Sequence, residues 1–254
     1  MKSKVSSTPD HREDEYYSGC IYEERDILRF RPAMAYLSKV SISDEGVKTL
    51  KDLAGQGAIV YAIKQRSKLN SLIITDIAER NGLPHPVYCH GMNMSFWQPL
   101  SKMLKYFWSS LRRRFRKEEV TRRAKLDFLE RKVANKETVI IHLGESEFIE
   151  SRSAQDAIDS LINLQKRVSF PIFIVPFLVA YGRRREMENE SLINILFGQM
   201  EHTGTLRRLI TFMRYSKQAF VIPTQPVSLV EYLSENSDRS KDEMIHELRG
   251  ELIG

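Results

Sequence analysis

The chain has 254 residues, of which 42% are hydrophobic and 28% charged, and a formal net charge of +6. This length suits one large α/β domain or two small ones, and the mixture excludes a disordered or fibrous chain. No apolar signal core stands in Met1 to Asp14, and the most apolar run, Phe170 to Tyr181, is about 12 residues where a membrane-spanning helix needs roughly 20.

Residues 1–14 read as a disordered tail. From Glu15 to Val40 the pattern is helical through Tyr17, Ile21, Ile27, Leu28, Met34 and Leu37, with Pro32 as a break or kink. Ser43 is an expected N-cap for a helix through Leu53, ended by Gly55 or Gly57. Ala58–Ile63 predicts a buried strand, and a helix follows from about Leu69 to Arg80, stopped by Asn81, Gly82 and Pro84. Val87–His90 reads as a second strand. Helical periods then run over Phe96–Arg116 and Val120–Lys132, and Thr138–Leu143 is a strand that ends at Gly144.

A helix over Asp156–Arg167 precedes a strand over Pro171–Tyr181, despite Pro176. Helices are expected around Ser191–Phe197 and Thr205–Ser216, a last strand at Ala219–Ile222, and a final helix over Lys241–Leu252. Strands separated by helices predict an α/β fold, a mainly parallel central sheet flanked by helices. The organisation expected is a tail (1–14), an N-terminal helical segment (15–57), an α/β domain (58–235) and the start of a C-terminal helix (236–254).

Basic residues crowd Arg112, Arg113, Arg114, Arg116, Lys117, Arg122, Arg123 and Lys125, with a second cluster at Arg183–Arg185. Such clusters suit anionic partners, an acidic membrane surface among them, or a solvated helix face diluted by Glu118, Glu119, Asp127 and Glu130. The neighbouring Phe115 and Phe128 fit a core at helical spacing, and with no recognition motif present nucleic acid is not an expected partner. Cys20 and Cys89 have no metal-like spacing and fit a reducing compartment; no metal site and no cofactor is expected.

Local motifs carry more than composition. Val60-Tyr61-Ala62-Ile63-Lys64-Gln65-Arg66-Ser67-Lys68-Leu69-Asn70 resembles a strand leading into His-Arg-Ser-His-x-Asp, with Gln65 in the histidine place and Asn70 in the aspartate place. Gly91-Met92-Asn93-Met94-Ser95-Phe96-Trp97 resembles Gly-x-Asn-x-x-Phe-Trp, and the helix after it carries Arg112 and Arg113. Ile174-Val175-Pro176-Phe177, Tyr181-Gly182-Arg183, Leu206-Arg207-Arg208-Leu209 and the closing Gln225-Pro226-Val227-Ser228-Leu229 keep the same order. Together these resemble the bacterial membrane-associated glycerol-3-phosphate acyltransferases of the glycerolipid acyltransferase superfamily, over about residues 25 to 254. A Glu-Gly-x-Arg-Ser motif has two placements here. One runs through Gly144-Glu145-Ser146-Glu147, with Glu147 in the arginine place; the other is Glu150-Ser151-Arg152-Ser153.

The resemblance implies acyl transfer from acyl-CoA or acyl carrier protein to glycerol 3-phosphate, at the cytoplasmic face of the inner membrane. It implies a histidine base oriented by an aspartate at positions 65 and 70, and substrate contacts at Arg66, Ser67, Asn93, Arg112 and Arg113. A carboxamide has no useful titration and Asn70 carries no charge, so the amide pair can keep a hydrogen bond but cannot take the alcohol's proton. The expectation is a domain that is catalytically inactive and serves binding or regulation, with an intact second domain beyond Gly254. Two alternatives stay open: an active enzyme with His90 or His142 as base, and a basic peripheral membrane or interaction module.

Overall fold

A computed structural model of the chain describes residues 19–21, 39–64, 66–94, 104, 108, 122–144, 149–181 and 219–253. In chain order these form β1 (Ser41–Ile42), α1 (Asp44–Gln56), β2 (Ala58–Ile63), α2 (Lys68–Arg80), β3 (Pro86–Cys89) and α3 (Arg122–Ala134). There follow β4 (Thr138–His142), α4 (Ile149–Gln165), β5 (Ile172–Tyr181), β6 (Ala219–Pro223), β7 (Val227–Ser228), α5 (Leu229–Glu235) and α6 (Lys241–Ile253). The strands make one sheet in the order β1-β6-β5-β2-β4-β3, with β7 on β5. Among the described strands four pairings are parallel (β1/β6, β2/β4, β2/β5, β3/β4) and two are antiparallel, β6 and β7 each on β5. The fold is the expected α/β one.

Strand β2 is central, and all six of its residues are buried because helices cover both faces. Its side chains alternate. Ala58, Val60 and Ala62 face a core built with Phe128 and Leu129 of α3, Ile158 and Leu161 of α4, and Leu248 of α6. Ile59, Tyr61 and Ile63 face Leu50 of α1 and Ile73, Ile74 and Ile77 of α2. Ser43 caps α1, its Oγ accepting from the Gly46 N–H at 3.1 Å. The helix ends at Gly57, where a Cβ would stand 2.0 Å from the Pro171 carbonyl oxygen, so the close approach to β5 needs glycine.

Pro176 sits in mid-strand without breaking the ladder. On the antiparallel side β5 pairs with β6 from Phe177 onward and with β7 up to Ile174, leaving a gap at Pro176. Its carbonyl accepts from Thr224 N at 2.9 Å, in the bend between those strands. A residue's N–H and C=O point to the same side of a strand, so the missing N–H belongs to that gap, where proline is tolerated.

Three features differ from the sequence reading. The described part of the Glu15–Val40 segment that precedes Lys39 runs extended, not helical: Cys20 bridges Tyr88 antiparallel, Ile21 N donates to Val87 O at 2.9 Å and Cys89 N to Gly19 O at 2.7 Å. The outer edge of β3 offers unpaired backbone groups, and pairing with them outweighs an irregular apolar period. Helix α4 begins at Ile149 rather than Asp156, its first turns being good helix formers without an apolar stripe. The short β1, β7 and α5 were not expected, β1 lying inside the segment 15–57 read as helical; Ser228 caps α5. The tail, the 191–197 and 205–216 helices, and all of the 96–116 helix except Leu104 and Trp108, both helical, lie outside the described residues.

Candidate functional site

In an open, mainly parallel sheet, ligands bind outside the carboxyl ends of the strands. Here β2, β4 and β3 end side by side, and α2 starts over them. Ser67 N-caps α2 by accepting from the Asn70 N–H at 3.3 Å, a cap that holds the first helical turn and the half-buried Asn70 on it. Exposed Arg66 donates through Nη2 to the Gly91 carbonyl at 2.6 Å, tying the loop after β2 to the loop after β3, which Asn93 follows. Of the residues expected at the site, Arg66, Ser67, Asn70 and Asn93 thus stand at this end of the sheet. Gln65, Arg112 and Arg113 lie outside the described residues. So does Glu147, whereas Arg152 and Ser153 fall on the first turns of α4.

The half-buried His142, last residue of β4, occupies the centre. Its Nδ1 is 3.2 Å from the His90 carbonyl oxygen, which can only accept, so Nδ1 carries the proton and donates. Nε2 points inward, 3.3 Å from Ser71 Oγ and 3.9 Å from Cys89 Sγ. Both partners are fully buried, and Ser71 Oγ also lies 3.1 Å from the Ser67 carbonyl, to which it can donate. Burial pushes the Cys89 thiol up to about 12, with Ser71 and Arg66 pulling weakly the other way. It therefore stays a thiol at neutral pH, a weak donor to the ring and no nucleophile. Both nitrogens of His142 are spent inside the protein.

His90 faces the other side of the sheet. It is 7% exposed, and desolvation, followed by the charges of His142, Lys125 and Arg122, lowers its pKa to about 4. A ring so weakly basic takes up little proton at neutral pH. The two described histidines at this end thus differ in setting: His142 contacts Ser71 and Cys89 in the interior, and His90 is buried on the opposite face.

Sequence reasoning missed the clamp from α6. Arg249 Nε donates to the Leu143 carbonyl at 3.0 Å and Nη2 to the Gly144 carbonyl, fixing the turn after His142, where Gly144 has φ +53°. Lys64 Nζ reaches the Ile253 carbonyl at 3.4 Å. More than a hundred residues separate Arg249 from that turn, and no local pattern marks it. Ser71 was legible in principle, since it stands one turn after the Ser67 cap.

Residues 28–250 match the family described as glycerol-3-phosphate acyltransferase PlsB N-terminal domain. Two curated relatives, each named glycerol-3-phosphate acyltransferase and from Haemophilus influenzae strains PittEE and 86-028NP, are 28% identical to the chain over 205 residues. The alignment covers 74% of this chain and 24% of each relative, so the chain spans about a quarter of their length.

Proposed function

The chain belongs to the family of the glycerol-3-phosphate acyltransferase PlsB N-terminal domain, and from that membership we propose that it is a non-catalytic acyltransferase-like domain, with a binding or regulatory role in acyl transfer to glycerol 3-phosphate. The observation that carries the reading is His142. Its Nδ1 is committed to the His90 carbonyl, and its Nε2 faces Ser71 and Cys89 in the core. An acyl-transfer base must come within about 2.6–3.2 Å of the hydroxyl oxygen whose proton it takes. The described imidazoles at the sheet's end are turned inward or buried, and positions 65 and 70 carry amides. The description of the matched family as an N-terminal domain, and the 24% of the relatives that is aligned, support the same reading: the reaction would belong to another part of such proteins.

In this reading glycerol 3-phosphate and an acyl donor, acyl-CoA or acyl carrier protein, are the substrates of the larger assembly, and an intact acyltransferase domain is the partner. A seat on the cytoplasmic face of the inner membrane fits the basic stretch 112–125 and the exposed Leu104 and Trp108, four residues apart. Sedimentation with anionic against neutral liposomes tests that seat; equal binding to both removes the charge argument.

The test of the main proposal is acyl transfer by the purified chain, supplied with an acyl donor and glycerol 3-phosphate. No product above the protein-free control is expected. Turnover that disappears in His142→Ala would overturn the reading.

A further inference from the structure

On the face of the sheet opposite Ser71, the end of β3 meets the start of α3. The rings of Tyr88 and Phe128 meet edge-on, centroids 4.8 Å apart, which sets the helix over the strand. His90 stands two residues beyond Tyr88, roughly 6.6 Å nearer the carboxyl end of the sheet, its ring 6.0 Å from that of Tyr88. Because α3 leads into the parallel strand β4, its first residues lie at that same end. Lys125 precedes Phe128 by three residues, about 4.5 Å along the helix axis on the same side, and Arg122 by six, about 9 Å along the axis and about 120° round it. Half-buried Lys125 lies on the His90 side of the helix, exposed Arg122 lies one turn nearer its start, and the charges of both act on the His90 ring.

The His90 ring has a buried Nδ1 without a hydrogen-bond partner. A buried polar atom left in this state calls for an explanation such as an ion or ordered water. The groups whose charge acts on the ring are His142 from β4 and Lys125 and Arg122 from α3, all cationic or able to become so; Tyr88 supplies only a ring edge from its own strand.

We infer that this corner is an anion subsite, where a phosphate group, free or as an ester, sits between Lys125 and Arg122 above the His90 ring. Lys125 and Arg122 donate to its oxygens, and His90 donates once its ring takes up a proton. Anion binding and His90 protonation are then linked, each favouring the other. The inference does not depend on whether the domain transfers acyl groups.

The test follows the His90 ring by NMR through a pH titration of the whole chain, with inorganic phosphate, glycerol 3-phosphate or chloride at equal ionic strength. Phosphate is expected to raise the ring's protonation midpoint by about one pH unit, the scale set by one opposite charge nearby. Chloride should leave it in place. Lys125→Ala/Arg122→Ala should weaken phosphate binding about tenfold and remove the shift, while Arg131→Ala, further along α3, should change neither. A larger shift with glycerol 3-phosphate than with inorganic phosphate identifies the ester as the ligand; the reverse identifies the free ion. A midpoint that neither phosphate species moves, that chloride moves equally, or that still moves in the double variant, overturns the subsite.

Discussion

Replacing Arg249 with methionine keeps much of the side chain's apolar stem and deletes its two donated bonds. The carbonyls it serves belong to Leu143 and Gly144, both buried residues at the end of β4. A hydrogen bond from a charged group contributes about 1.5–3 kcal/mol, and a buried acceptor left bare costs about 1–3 kcal/mol. Water can reach part of this half-buried site, so the expected loss for Arg249→Met is about 2–3 kcal/mol. At about 2–4 °C per kcal/mol for a domain of this size, the fall in Tm is roughly 4–12 °C. Arg249→Lys, which keeps the charge but loses the fork, should lose about half as much. Urea unfolding at constant m-value measures the loss, and hydrogen exchange at the Leu143 and Gly144 amides, which bond to Ile63 and Lys64 carbonyls, shows where it acts. A change under 0.5 kcal/mol with unaltered exchange at those amides would refute the clamp.

Other expectations are as direct. His90 has a folded pKa of about 4, below its unfolded value, so the unfolded state binds more protons between pH 6.5 and 4 and stability should fall as pH drops through that window. The loss is on the order of 3 kcal/mol by linkage, and His90→Gln should remove that slope from Tm measured against pH. A Cβ on Gly19 would stand 2.2 Å from the Cys89 carbonyl oxygen, so Gly19→Val should strip the 19–21 segment from β3 and speed exchange of the Cys89 amide. Ser67→Ala removes the cap of α2 and should cost about 1 kcal/mol in urea unfolding.

Much of the fold was legible because the central strands β2, β4 and β5 are apolar runs rich in β-branched residues. Ser43, Gly57, Asn81 and Gly82 mark element ends by chemistry that depends only on neighbours in sequence. The 19–21 segment was not legible, since its extended form comes from an edge of β3 contributed by residues some 70 positions away. The amide pair at 65 and 70 could be read from a motif, but the inward turn of His142 could not. That orientation depends on the His90 carbonyl and on Ser71 and Cys89, brought together by three separate elements. Arg249 is the same case at greater separation.

The most direct measurement is on the His142 ring itself, by nitrogen-15 NMR of its tautomer at neutral pH with and without glycerol 3-phosphate and a non-transferable acyl donor. With the ring committed to the interior, Nδ1 carries the proton in both states, Nε2 keeps its contact with Ser71, and the ligands leave both nitrogen shifts unmoved. A proton on Nε2 alone in the free chain, or an Nε2 shift that appears only when the alcohol substrate binds, would show an imidazole turned toward the substrate and contradict the account.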